Sequence, residues 1–234
     1  MKVSLAPLLT LLTLTTAQTI NSTIPANKPF NFGKHYAVLN LDLIDGIVSG
    51  IATTSAGQAF INSTSKWINA VHSQNPKPLI IFTRIYFTTA QKPEIGPETP
   101  FGIVVAPFGN VTETSPVTQI YSAFDVLDTD VVLQKTRYYA GAGNGLEEIL
   151  RAQEIDTVIL SGVRTSGVVL STVYQLFNID YKIYVISNNT IETGDDAALI
   201  QSATLNGIIP KLPADVISIE QALAALNRSG PAVW

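Results

Sequence analysis

Residues 156–177 read DTVILSGVRTSGVVLSTVYQLF. The first part, DTVILSG, is a short apolar run of strand length, and the stretch from Thr165 onward spaces its apolar residues as a helix does. Between them lies a turn crowded with Gly162, Thr165, Ser166 and Gly167, the composition of a ligand cradle. Yet Val168 and Val169 come next, and neither side chain can donate, accept or attack. Strand, tight turn and helix in this order form the repeating unit of a parallel α/β sheet.

The same alternation extends in both directions. HYAVLNLDLIDG gives an apolar strand ending in an acid, and GQAFINSTSKWINAVHSQ (57–74) places Phe60, Ile61, Trp67, Ile68 and Val71 at helical spacing. Pro76 and Pro78 stop that helix before PLIIFTRIYF, a second buried strand. A proline-rich loop and the apolar run IVVAPF follow, then DTDVVLQK, counted as the fourth strand. NGLEEILRAQEI is helical, with Glu147 spaced to pair with Arg151. YKIYVISN is a further strand, and residues 195–205 and 217–226 read as closing helices. The pattern predicts an α/β fold: a three-layer, doubly wound parallel sheet with helices on both faces. No internal repeat or linker divides it.

Composition bounds the function. The chain has 234 residues, 46% hydrophobic and 14% charged, with a net charge of −4. That is enough apolar material for a large core, and without a basic run nucleic acid is no partner. Lys2, the short apolar run VSLAPLLTLLTL and the small residues ending at Ala17 read as a secretory signal peptide over residues 1–17. Residues 18–34 form an extended N-terminal arm, and 35–234 the folded domain. No later run reaches the roughly 20 apolar residues of a spanning helix, so no membrane partner is expected after cleavage. Sequons at Asn21, Asn62, Asn110, Asn188 and Asn227 agree with a secreted, extracellular glycoprotein. There are no cysteines, which excludes disulfides, thiol catalysis and cysteine metal sites. His35 and His72 offer no metal-ligand spacing, and no cofactor or metal is expected.

In open parallel sheets ligands bind beyond the carboxyl ends of the strands. There the sequence delivers Asp42 and Asp45 after the first strand and Arg84 after the second. Lys135 ends the fourth, and the fifth opens into Gly162-Val163-Arg164-Thr165-Ser166. An acid, a lysine and a donor-rich helix start make a usable catalytic set. Each also has a structural explanation: a strand-terminal Asp caps turns, a lone Lys is a solvated charge, and Thr165 or Ser166 serves as an N-cap.

YAVLNLDLIDG and LQKTRYYAGAGNGLEEILRAQEIDTVILSGVRTSGVVLSTVYQLFN resemble the isochorismatase-like, or cysteine hydrolase, superfamily. In that superfamily an apolar strand ends in a catalytic Asp. A lysine precedes an aromatic-rich segment, and a GV strand leads into an xTNxC turn and a helix beginning VxST. The likeness is closest over residues 130–187 and looser over 35–85. It implies Asp42 as catalytic acid, Lys135 as catalytic lysine, and a cis peptide joining Val163 to Arg164. Thr165 matches the motif threonine, Ser166 stands where Asn is usual, and Val168 stands at the nucleophilic cysteine. The resemblance assigns an oxyanion hole to the N–H groups of Arg164 and Val168.

A thiolate beside a lysine at a helix start would attack carbonyls; valine cannot. The resemblance therefore leaves two functions. One is cysteine-independent hydrolysis of a small carboxylate substrate, as in family members that cleave the vinyl ether of isochorismate and can carry Gly at the cysteine position. Asp42 and Lys135 would act there, with Arg84 and Arg164 holding carboxylates. The other is a secreted pseudoenzyme that binds a small acidic ligand or a protein partner. Many relatives assemble as homo-oligomers, and no feature of the sequence decides that point here.

Overall fold

In the computed structural model, which describes residues 19–234, the apolar runs become one parallel sheet. The signal-peptide reading of residues 1–17 lies outside the described residues. The strands are β1 (Tyr36–Leu41), β2 (Leu79–Ile85), β3 (Val131–Lys135), β4 (Thr157–Val163), β5 (Lys182–Ile191) and β6 (Asp215–Ile217). They lie in the order β3-β2-β1-β4-β5-β6. The chain thus builds outward from β1 on one side and from β4 on the other, and the direction reverses between them. At such a switch point the following helices leave to opposite faces and open a crevice at the strand ends.

The helices are α1 (Asp45–Val48), α2 (Ser55–His72), α3 (Pro100–Val105), α4 (Leu146–Ala152), α5 (Leu170–Phe177), α6 (Ala197–Ser202) and α7 (Ile219–Ser229). Alternating strand residues divide the core in two. Tyr36, Val38, Phe82 and Ile159 pack with α2 and α7. Leu39, Leu41, Ile81 and Leu160 pack with α4 and α5 on the opposite face. Burial on both sides explains why the central strands read as unbroken apolar runs. Each fully buried Val, Leu, Ile or Phe contributes about 1.5–3 kcal/mol.

Residues 19–34 form neither helix nor strand and run along the β6 edge. The Thr23 N–H donates to Val216 O at 2.9 Å, and the Val216 N–H donates to Thr23 Oγ1 at 3.1 Å. Phe30 and Phe32 then close on Tyr184, with ring centroids 5.4 and 5.1 Å away. The arm thereby covers one open sheet edge. Among the described residues no helix is long and apolar enough to cross a membrane.

The strand count of the sequence reading needs correction. Residues 100–105 form α3, so Lys135 closes the third strand and residues 157–163 make the fourth. The Thr99 hydroxyl caps α3 by accepting the Gly102 N–H, and Pro100 occupies the first helical position. Both features favour a helix start over an extended run. The short β6 went unread in the sequence.

At the switch point β1 and β4 approach closely at Gly162. A Cβ there would lie 2.6 Å from Leu41 O and 2.7 Å from Leu41 Cβ. Gly162→Ala is expected to destabilise the fold by about 1–3 kcal/mol, measured as a lower urea midpoint with unchanged slope.

Candidate active site

Asp42 follows β1 directly and has a φ of 54°. Left-handed backbone is costly for most residues, but Asp tolerates it better than a β-branched one. The conformation places a nearly buried carboxylate, 4% exposed, at the switch point. Its Oδ2 lies 2.7 Å from Lys135 Nζ. Its Oδ1 accepts the Thr83 hydroxyl at 2.9 Å, and the Asp42 N–H donates to that hydroxyl oxygen at 3.1 Å. Thr83 stands in register with Leu41 across β1 and β2.

Lys135 is fully buried. Its ammonium also donates to Arg137 O at 2.8 Å and Tyr138 O at 3.3 Å, so its three protons meet three acceptors. Burial pushes the Asp42 carboxyl above its ordinary pKa; the Lys135 charge and the bonds from Lys135 and Thr83 oppose this without overcoming it.

β4 supplies the opposite wall. The Val163–Arg164 peptide is cis. Residues 165–169 wind as a π-turn before α5, and the Arg164 carbonyl accepts the Gly167 and Val169 N–H groups while skipping that of Val168. The Ser166 N–H is taken by Glu192 Oε2 at 2.8 Å. Glu192 reaches it because β5 slips against β4: Leu160 pairs with Val185, but Gly162 pairs with Thr190. Thr165 faces inward, where its hydroxyl donates to Gln201 Oε1 at 2.6 Å.

These elements enclose a cavity of about 80 Å³. Asp42, Arg164 and Val168 line it. Lys135 stands behind Asp42 rather than on the wall. The roof comes from α3 and its flanks, through Phe101, Val104, Val105 and Phe108. Tyr138 completes the wall, stacked edge-on to Phe101 at 5.3 Å, with its ring laid against Gly167. A Cβ at Gly167 would sit 3.3 Å from that ring.

The structure therefore brings together Asp42, Lys135, Arg164 and Val168. Thr165 and Arg84 are not on the cavity wall. Arg84 turns to the following loop, where Nε donates to Thr118 O at 2.6 Å and Nη2 to Glu113 O at 2.6 Å. Thr83 and Glu192 were not singled out from the sequence. Thr83 is one hydroxyl inside an apolar strand, and Glu192 acts on Ser166 across 26 residues of chain. Among the described residues no three His, Cys, Asp or Glu side chains cluster to hold a metal. His72 lies instead 2.9 Å from Asp130, which Lys77 also contacts at 2.6 Å.

The isochorismatase domain model matches residues 36–221, the whole span from β1 into α7. This chain belongs to the isochorismatase family. An isochorismatase family protein from Burkholderia thailandensis superimposes with a TM-score of 0.69 at 23% identity, covering 86% of this chain and 100% of the other. A cysteine hydrolase from Pseudomonas syringae pv. phaseolicola 1448A gives a TM-score of 0.73 at 18% identity, covering 87% and 99%. These likenesses concern the fold. YrdC of Bacillus subtilis (strain 168), named an uncharacterized isochorismatase family protein, is 32% identical over 87 residues. That match takes in 34% of this chain and spans 46% of the relative's length. Within the family this member has no cysteine anywhere, and a valine side chain, 1% exposed, forms the wall after the turn.

The ion pair makes a direct prediction. Lys135→Met leaves Asp42 buried without its cation and is expected to cost about 3–5 kcal/mol. Adding Asp42→Asn to that variant should return part of the loss, because no uncompensated carboxylate remains. Chemical denaturation of wild type and the two variants measures both effects.

Proposed function

We propose that this isochorismatase-family protein is a secreted glycoprotein that hydrolyses a small carboxylate substrate by acid–base chemistry. The reaction forms no covalent enzyme intermediate. The observation that carries this reading is the Asp42 carboxyl, raised in pKa by burial, lining a cavity whose opposite wall is Val168. A cysteine-type acyl transfer has no nucleophile here, but a vinyl ether needs none. Its hydrolysis begins with a proton, and burial raises the pKa of the Asp42 carboxyl in the direction that proton donation needs.

For an enol ether of pyruvate the steps balance as follows. Asp42 gives its proton to the terminal methylene carbon, and the C=C electron pair forms the new C–H bond. The resulting oxocarbenium carbon takes up water, whose proton returns to the Asp42 carboxylate. The hemiketal then breaks its ether C–O bond with transfer of the hydroxyl proton, releasing an alcohol and pyruvate. Lys135 and Thr83 fix the carboxyl, and the Lys135 charge stabilises the carboxylate between the two proton transfers. Arg164, exposed at the rim, is placed to meet the substrate carboxylate.

Secretion rests on the residue 1–17 signal sequence and the five sequons, whose asparagines are all exposed on the folded chain. Endoglycosidase treatment of protein recovered from the medium of a eukaryotic host should lower its mass; an unchanged mass would remove the glycoprotein reading. A second reading, binding without turnover, is favoured by one observation, the replacement of the family nucleophile by Val168.

Turnover is measured as pyruvate released from isochorismate and from 2-butoxyacrylate, an enol ether with one carboxylate. Wild type should release pyruvate from 2-butoxyacrylate and Asp42→Asn should not; no release from either substrate by folded wild type would sink the hydrolase reading. Because the acid form of Asp42 is required, activity should be full below its raised pKa and fall as pH rises through it. Thr83→Val removes one of the bonds that lower that pKa, so the alkaline limb of the pH–rate profile should move to higher pH.

A further inference from the structure

We infer that the site selects a monocarboxylate with a compact hydrocarbon body, and disfavours dicarboxylates. The inference rests on the proposed use of this cavity as the substrate site and adds the class of molecule that fills it. Two charged residues line the cavity, Asp42 and Arg164. Every other wall is aliphatic or aromatic, from Ile44 and Ile47 beneath to Phe101 and Val104 above. A dianion entering this cavity would leave at least one carboxylate against hydrocarbon, and desolvating an unpaired charge is costly.

Of the cationic groups nearby only Arg164 lines the cavity; Arg137, 5.3 Å from the Phe101 ring, donates to Thr136 O and Glu94 O. The Lys135 ammonium is committed to Asp42 and two carbonyls. The Arg84 guanidinium is spent on Glu113 O and Thr118. At the helix start, where an anion would otherwise be attracted, the Ser166 N–H already holds the Glu192 carboxylate. Arg164 belongs to none of the ion pairs among the described residues, which join Asp130 or Asp42 to their partners. One carboxylate therefore has one guanidinium to meet, at the rim. The body behind it points inward past Val168.

Val168 then has a positive role. A thiol or hydroxyl at that position would present a polar group to the ligand, whereas the isopropyl group continues the apolar wall. The small volume, about 80 Å³, limits the part of the ligand that is fully buried to a compact hydrocarbon body.

The test is a binding series read by isothermal titration and thermal shift, using compounds that cannot react. 3-Phenylpropanoate presents one carboxylate and a six-atom ring, 3-phenylpropan-1-ol removes the charge, and benzylsuccinate adds a second carboxylate. Wild type is expected to bind 3-phenylpropanoate at least about tenfold more tightly than either companion, the scale of one charge-assisted hydrogen bond. Arg164→Gln, an exposed position that leaves the core intact, should erase the advantage of the acid over the alcohol. Val168→Ser should weaken the acid and the alcohol together. Benzylsuccinate binding as tightly as the monoacid, an alcohol binding as tightly as the acid, or no binding of the monoacid overturns the inference. Turnover separates the two proposals. Binding in the expected order with no pyruvate from any enol ether removes hydrolysis and leaves the ligand class standing. Isochorismate turnover with benzylsuccinate equal to the monoacid does the reverse.

Discussion

Asp42 and Lys135 form an ion pair with almost no contact with water, and the site is organised around that fact. Two charges taken out of water repay the cost when every remaining proton and lone pair finds a partner. Here Lys135 spends all three protons, on Asp42, Arg137 and Tyr138, and Asp42 also takes the Thr83 hydroxyl. To meet these requirements β1, β2 and β3 must end at matched levels, and the segment after β3 must fold back over the lysine. That return places Tyr138 against Gly167 and Phe101, which shapes the cavity wall. One electrostatic requirement thus fixes a hydrocarbon surface several residues away.

The same pair explains how a chain can keep its acid while lacking a nucleophile. Removing either partner of a buried pair strands the other, so folding alone is a reason to retain both. Position 168 carries no such constraint. Its side chain is buried in the apolar cluster that also holds Val169 and Val173. Chemistry at the two positions is therefore separable, although both face one cavity.

Much of this was legible in the residues, and the reasons are physical. Strands buried on both faces must be continuously apolar, so β1, β2, β4 and β5 announced themselves. Charges that end such strands are few, which brought out Asp42 and Lys135. Arg84 shows the limit. Its position at a strand end was correct, but the direction of a long flexible side chain depends on carbonyls at residues 113 and 118, in a loop with no periodicity. Thr83, its neighbour, proved to be the group that touches Asp42, because strand alternation turns adjacent residues to opposite faces. α3 was missed for a similar reason: PFGIVV is six residues long and rich in branched side chains, so its signal lay in Thr99 and Pro100 rather than in its apolar pattern.

The N-terminal arm holds the far edge of the sheet by aromatic packing and two hydrogen bonds between Thr23 and Val216, one of them to the Thr23 hydroxyl. Proteins of the same compactness often secure such a segment with a covalent cross-link. In a chain without a single sulfhydryl the clasp is made of Phe30, Phe32 and Tyr184 instead. Its strength owes nothing to thiol–disulfide balance. The fold can therefore pass between oxidising and reducing surroundings without gaining or losing a bond, and heat or denaturant rather than electron transfer is what opens it.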